Sequence, residues 1–198
     1  MDMQLYALHV VPFILIVYLI FLLFLRPPKE VLLTSLLGGL TMGIINTLVD
    51  LLAFYAHWWH YNASGLVLHL PLPFYITPIL VFGGISYLLM WRFWGGRSHW
   101  FAQLLLFGIP IVGFARDLLS ANSPSSSYLQ WDSFLAGPLD FLLWLLMFYA
   151  GFLVFRRMAI RLMKPVMERD LTRPPDGRPQ EPSPNVTPSP PLRDETAS

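Results

Sequence analysis

Five apolar stretches, each long enough to cross a lipid bilayer, leave this chain few ways to fold. A bilayer core of about 30 Å requires roughly 20 apolar residues in a helical span. That requirement is met by residues 5–25, 31–54, 74–91, 100–119 and 134–155. Only 13% of the residues are charged, whereas a soluble domain has about 25%. The sequence therefore predicts an all-α fold, a polytopic membrane bundle of five transmembrane helices within residues 1–164.

Lys and Arg residues lie almost entirely in segments that alternating spans would place on one side of the bilayer. Arg26 and Lys29 precede the second stretch, Arg92 and Arg97 lie between the third and the fourth, and eight more follow the fifth. Basic loops are retained in the cytoplasm. The N-terminus is therefore predicted outside, and the C-terminus in the cytoplasm, of a multi-pass cell-membrane protein. Among the thirteen basic residues, Arg116 alone departs from the pattern.

The composition of the chain changes at residue 165. Nine of the 34 residues in 165–198 are Pro, and most of the others are charged or small and polar. Such a segment buries too little apolar surface to offset the entropy that folding would remove. We therefore predict a disordered, Pro-rich cytoplasmic tail over 165–198.

Part of the sequence recurs at an offset of 67 residues. The informative matches pair Asp50 with Asp117, Tyr61 with Tyr128, Pro71 with Pro138, and Gly84 with Gly151. Because 67 residues cover two spans, duplicated copies would be parallel hairpins, 31–94 and 98–161, related by an axis along the membrane normal. A duplication predicts these matches, and so do two unrelated hairpins under the same membrane constraints.

Besides Asp117 near the end of the fourth predicted span, two spans contain an acidic residue, Asp50 in the second and Asp140 in the fifth. An ionised Asp inside the bilayer costs about 2.5 kcal/mol or more, so both should point into the bundle. Small residues that allow close helix packing share a face with them. On the second span these are Ser35, Gly39, Gly43 and Thr47, and on the fifth they are Gly137 and Gly151. Since intramembrane charges pair with one another, Arg116 is predicted to form an ion pair with Asp140 or Asp50.

The same charges also fit an outward-opening polar–aromatic pocket. In that interpretation Asp50 and Asp140 are the catalytic candidates for acid and base, with His57 as a second proton carrier. The ligand-binding candidates are Arg116, Asp117, Tyr61, Trp58, Trp59 and Trp144. The predicted lining also includes His60 and Asp132.

His57 and His60 are spaced i, i+3, which on a helix would put two imidazoles on one face for Zn²⁺ or Cu²⁺. The alternative is interfacial anchoring, because the intervening Trp58 and Trp59 belong to the aromatic residues that collect at membrane surfaces. We favour anchoring and predict neither a metal site nor a specific cofactor.

A local pattern in residues 43–94 resembles the helix–loop–helix of integral-membrane carotenoid-modifying proteins, the lycopene cyclases and carotenoid hydratases. The pattern consists of Asp50, Ala53, Trp58-Trp59 and Tyr61, followed by Pro71-Leu72-Pro73 at the start of the next span. The resemblance implies a bundle that holds a long isoprenoid and protonates one of its double bonds. The chain departs from the cyclase pattern, in which Glu follows a Pro by three residues: Asp140 follows Pro138 by two residues.

These observations favour a membrane protein that binds or modifies a lipid or isoprenoid in the predicted pocket, and they leave open whether it is an enzyme. The competing interpretation is a non-enzymatic membrane subunit, assembly factor or small oligomeric transporter, whose buried charges pair its helices. The predicted partners are membrane lipids, with a second copy or another membrane protein as the alternative. A formal net charge of +1 gives no reason to predict a nucleic-acid partner.

Overall fold

A computed structural model describes residues 3–95, 98–123 and 128–172, with side chains up to residue 160. It is 79% helical, and five of its helices are long and apolar enough to span a membrane. These helices are α1 (Met3–Leu25), α2 (Lys29–Tyr55), the third span (Leu72–Phe93), α4 (His99–Ala121) and the apolar part of α5 (Ala136–Ile160). The prediction of five helices that are long and apolar enough to span a membrane is therefore confirmed.

The connection between α1 and α2 is set by two consecutive prolines. The ring of proline fixes φ and removes the backbone N–H, so Pro27 and Pro28 cannot continue α1. The residue before them, Arg26, has a φ of 44°. Pro28 then serves as the N-cap of α2, with a φ of −55° and a ψ of 150°.

Four spans form a ring and α1 packs outside it. α2 packs against α5 on one side and against the third span on the other. The α-helical end of the third span, α3 (Ser86–Phe93), contacts α4, and α4 contacts α5, which closes the ring. α1 packs mainly against the third span. This order gives two neighbouring hairpins, α2 with the third span and α4 with α5.

Glycines allow α2 to approach its two neighbours closely, as the small residues of this span predict. A Cβ atom on Gly39 would collide with the carbonyl oxygen of Ile79 in the third span. A Cβ on Gly38 would lie 2.8 Å from the carbonyl oxygen of Gly151 in α5. A Cβ on Gly43 would lie 2.5 Å from a side-chain carbon of Ile79. In lipid such close packing is a main source of helix association.

The third span is not a regular α-helix. It begins with a 3₁₀ turn over Leu72–Tyr75 and continues as a π-helix over Thr77–Ile85 before α3 begins. Pro78 lies in the first turn of the π segment and lacks the N–H that a regular helix needs. Ser86 at its end donates a side-chain hydrogen bond to the carbonyl of Val81, five residues earlier, at 3.2 Å.

Two short strands join the connections at one end of the bundle. β1 (Trp59–Tyr61) pairs antiparallel with β2 (Leu129–Trp131), with Trp59 opposite Trp131 and Tyr61 opposite Leu129. The start of α1 reaches the same end, where the amide of Met3 donates to the carbonyl of Ser64 at 3.1 Å. We call this end of the bundle the sheet end. The opposite end carries Arg26, Lys29, Arg92, Arg156 and Arg157, and we call it the basic end.

The all-α prediction omits this sheet, because each strand has three residues and its partner lies about 70 positions away in sequence. The backbone of α5 extends to Thr172, past residue 165 where the predicted tail begins. The rest of that tail, 173–198, lies outside the described residues, as does Arg97.

Candidate functional site

Asp50 accepts hydrogen bonds from three aromatic side chains at the sheet end. Its carboxylate lies in the last turns of α2 and is 3% exposed. The indole of Trp59 donates to Oδ1 at 3.0 Å. The hydroxyls of Tyr61 and Tyr75 each donate to Oδ2 at 2.9 Å. Asp50 therefore joins α2, the sheet and the third span through one side chain.

The secondary structure explains why these donors converge on Asp50. Trp59 and Tyr61 are two positions apart on β1, so their side chains leave the same face of the strand. Tyr75 ends the 3₁₀ turn that opens the third span. Burial, followed by the negative charge of Asp50, raises the pKa of Tyr61 well above its usual range. Tyr61 therefore keeps its proton and stays a hydrogen-bond donor.

Asp117 is the acceptor of a second network on α4. Arg116 donates to its Oδ1 from Nε at 2.9 Å and from Nη2 at 2.8 Å. The indole of Trp144 on α5 donates to Oδ2 at 2.8 Å. The Tyr128 hydroxyl lies 3.5 Å from Oδ1. Burial, as the largest cause, raises the pKa of Tyr128, although nearby Arg116 opposes the shift.

The predicted ion pair of Arg116 with Asp140 or Asp50 is wrong, because Arg116 pairs with its own neighbour in sequence, Asp117. The reason is the surface on which the guanidinium lies. Gly113, one turn earlier on α4, leaves room for the ring of Trp144. The Arg116 guanidinium carbon lies 5.4 Å from the centroid of that ring and 5.6 Å from that of Phe82. Held over these rings, the guanidinium turns toward Asp117.

The two networks occupy equivalent positions in the repeated sequence. Tyr61 lies eleven residues after Asp50, and Tyr128 lies eleven residues after Asp117; both hydroxyls point to the corresponding carboxylate. Each carboxylate also accepts from an aromatic side chain early in the following span, Tyr75 or Trp144. The 67-residue offset therefore relates residues with the same structural role, whatever the origin of the two hairpins.

Asp140 on α5 differs from the other two buried carboxylates. It is 4% exposed, and its Oδ2 has no hydrogen-bond partner within the described part of the chain. It interacts electrostatically with Asp117, Asp50 and Arg116, which places it beside both networks. The structure thus brings together the predicted site residues Asp50, Asp140, Arg116, Asp117, Tyr61, Trp59 and Trp144.

A cavity of about 540 Å³ lies beside Arg116 at the sheet end. Its lining includes Arg116, Leu119, Ser120, Asn122, Ser123 and Tyr128. The Arg116 side chain is 38% exposed, whereas that of Asp117 is 10% exposed. Asp50 and Asp140 do not line this cavity. Of the residues predicted to line the polar–aromatic pocket, Arg116 borders this cavity.

None of the three buried carboxylates forms a hydrogen bond with His57, His60 or Trp58 within the described residues. α2 ends at Tyr55, so the i, i+3 spacing of the two histidines does not place them on one helical face, and that premise of a metal site is wrong. His57 is exposed in the following turn, with a φ of 54°. His60 on β1 pairs with Asp132 at 2.7 Å. Trp58 is partly buried, with its ring 6.2 Å from that of Trp59. Across the described ranges, no three metal-binding side chains form a cluster.

Sequence reasoning missed two members of the networks. Tyr75 lies 25 residues after Asp50, and nothing in the pattern links the two. Tyr128 carried a usable signal, since it matches Tyr61 at the 67-residue offset and Asp117 matches Asp50. Because Tyr61 is a predicted site residue, its match Tyr128 could have been predicted as one too.

Comparisons of the chain with models of known families, with curated proteins and with solved structures find no match. The resemblance to carotenoid-modifying proteins therefore stays a prediction.

Proposed function

We propose that the protein binds the anionic end of a lipid or isoprenoid-like molecule in the cavity beside Arg116. The observation that carries this proposal is that the Arg116 guanidinium has N–H donors that its bonds to Asp117 do not use. A guanidinium has five N–H donors, and the bonds to Asp117 use only Nε and Nη2. Arg116 is also 38% exposed toward a cavity of about 540 Å³. A fixed, partly exposed guanidinium with unused N–H groups has the geometry to bind a phosphate or carboxylate.

The surroundings of the cavity favour an amphiphile over a small soluble anion. Leu119 lines the cavity and is exposed. The same helix exposes further large apolar side chains along its length, at Leu104, Phe107, Ile111 and Val112. An acyl or isoprenoid chain could follow this surface into the bilayer while its polar end stays near Arg116. Carotenoid-like or prenyl molecules with an anionic end belong to this class.

The proposal predicts that Arg116→Gln weakens binding of anionic amphiphiles about tenfold. A hydrogen bond to a charged group contributes about 1.5–3 kcal/mol, and 1.4 kcal/mol corresponds to a factor of ten. Affinity is measured by native mass spectrometry of the purified protein, titrated separately with phosphatidylglycerol, farnesyl phosphate and phosphatidylcholine. Selective binding of the first or the second distinguishes a lipid from an isoprenoid.

Arg92→Gln is the matched control, because it removes an Arg from the basic end of the bundle. We expect it to leave the affinities unchanged. Equal affinity for the anionic and zwitterionic lipids, or an equal loss in both variants, would contradict the proposal.

The proposed orientation places the sheet end outside the cell and the basic end in the cytoplasm. It rests on the Lys and Arg residues of the basic end, because such residues are retained in the cytoplasm. We expect a reporter fused after Asn62 to be active only outside, and one fused at the C-terminus only inside. A cytoplasmic reading after Asn62 would overturn the orientation.

A second candidate function is that of a non-enzymatic membrane subunit, in which the buried charges hold the helices together. The bond from Trp144 to Asp117 and the position of Arg116 over the Trp144 ring favour it, because both join α4 to α5. A double-mutant cycle of Trp144→Phe and Asp117→Asn should give a coupling energy of about 1.5–3 kcal/mol, the contribution of a hydrogen bond to a charged group. The cycle is measured by unfolding in mixed micelles. A coupling near zero would leave the pair without a structural role.

A further inference from the structure

Asp140 is a buried carboxylate that the bundle does not satisfy. It is 4% exposed, and its Oδ2 has no hydrogen-bond partner within the described ranges. Buried polar groups in folded proteins are almost always hydrogen-bonded, and the exceptions call for an explanation. An ionised carboxylate with an unpartnered oxygen in the interior of a membrane bundle is costly unless something neutralises its charge.

The neighbours of Asp140 do not supply that neutralisation. Its electrostatic interactions are with Asp117, Asp50 and Arg116. Together with Asp140 itself, these are three acids and one base. The base already pairs with Asp117 through Nε and Nη2. Asp50 accepts hydrogen bonds from three side chains and, as an ionised carboxylate, has no donor to offer Asp140. With every group ionised, the cluster would carry a charge of −2 in an apolar bundle.

A proton fits this position better than a metal cation does. A Ca²⁺ or Mg²⁺ site needs about six oxygen ligands. The oxygens of Asp50 and Asp117 already accept hydrogen bonds from aromatic side chains or Arg116. In the portion of the chain that is described, no three metal-binding side chains lie close enough together to hold a metal ion. A proton needs a single oxygen, and Oδ2 of Asp140 is available.

We propose that Asp140 is a reversible proton-binding site, with Asp50 and Asp117 as fixed acceptors beside it. An O–H bond forms at Oδ2 with a proton from the water at the sheet end, and the same bond breaks when the proton returns. Binding changes the charge of the cluster from −2 to −1. The site does not depend on a lipid in the cavity beside Arg116, whose lining does not include Asp140.

The two networks beside Asp140 contain titratable groups from several elements. They are Asp50 on α2, Asp117 and Arg116 on α4, Tyr75 on the third span, Tyr61 on β1, and Tyr128 in the connection before β2. The tyrosines donate to Asp50 and Asp117 and thereby hold those two carboxylates as acceptors. Asp140 is the member of the cluster that has no such donor at Oδ2.

Infrared spectroscopy of the full chain in phosphatidylcholine vesicles tests the proposal. At neutral pH we expect the C=O stretching band of a protonated carboxylic acid, which moves to lower frequency in D₂O. The band should be lost in Asp140→Asn and kept in Asp50→Asn and in the exposed control Asp132→Asn. Absence of the band from the unaltered chain, or its survival in Asp140→Asn, would overturn the proposal. So would its disappearance when NaCl is added at constant pH, which would indicate a metal cation at the site.

A second measurement covers the case in which Asp140→Asn does not fold. Protein labelled with ¹³C-aspartate should show an isotope shift of the acid band in the unaltered chain. In Asp140→Glu the acid band should remain but lose that isotope shift. If the labelled band still shifts in Asp140→Glu, another aspartate carries the proton and the assignment is wrong.

Discussion

Asp50→Ala is expected to lower the free energy of unfolding by about 3 kcal/mol. The substitution leaves three donors without an acceptor, those of the buried Trp59 and Tyr75 and of the partly buried Tyr61. Each buried group left unsatisfied costs about 1–3 kcal/mol. The relief of repulsion between Asp50 and the neighbouring carboxylates offsets part of this loss. The expected value is therefore about 3 kcal/mol, the sum of the lowest cost for each of the three donors. Unfolding in mixed micelles, followed by circular dichroism, measures the difference.

Asp132→Ala is the control for this prediction. Asp132 also forms a hydrogen-bonded pair at the sheet end, with His60 at 2.7 Å, but both side chains are partly exposed. Exposed ion pairs contribute about 0–1 kcal/mol, so the loss should be at most a third of that in Asp50→Ala. Equal losses in the two variants would mean that the aromatic network around Asp50 contributes no more than a surface pair.

The spans and the inward direction of Asp50 could be predicted from sequence because both depend on local periodicity. Hydrophobic length alone identifies the five spans. The repeated small residues of α2, including Gly39 and Gly43, mark the face that meets the third span. Asp50 continues that face, so its burial follows from helix geometry.

The partners inside the site depend on packing between distant segments, which periodicity does not encode. The pairing of Arg116 with Asp117 follows from the ring of Trp144, which fills the space left by Gly113 and fixes the guanidinium. Judged by charge alone, Asp140 is as good a partner for Arg116 as Asp117 is. The sheet depends in the same way on two three-residue segments that meet only after the helices have packed.

Gly39→Ala is expected to destabilise the bundle by about 1–3 kcal/mol, although alanine is the better helix former. A Cβ atom at this position would collide with the carbonyl oxygen of Ile79 and lie 3.2 Å from the amide nitrogen of Gly84. These are backbone atoms, so a rotamer change cannot relieve the contact and the third span must move away from α2. Overpacking of this kind typically costs 1–3 kcal/mol.

Gly108→Ala separates this packing effect from helix propensity. Gly108 lies within α4, and no heavy atom lies within 4 Å of a Cβ built there. Replacing it should stabilise the protein by up to about 1 kcal/mol, the difference in helix propensity between glycine and alanine. The two substitutions make the same chemical change and should shift the unfolding midpoint in opposite directions. If both raise the midpoint, α2 and the third span are not in backbone contact at Gly39. The carbonyl of Ile79 would then no longer set how closely these two spans approach.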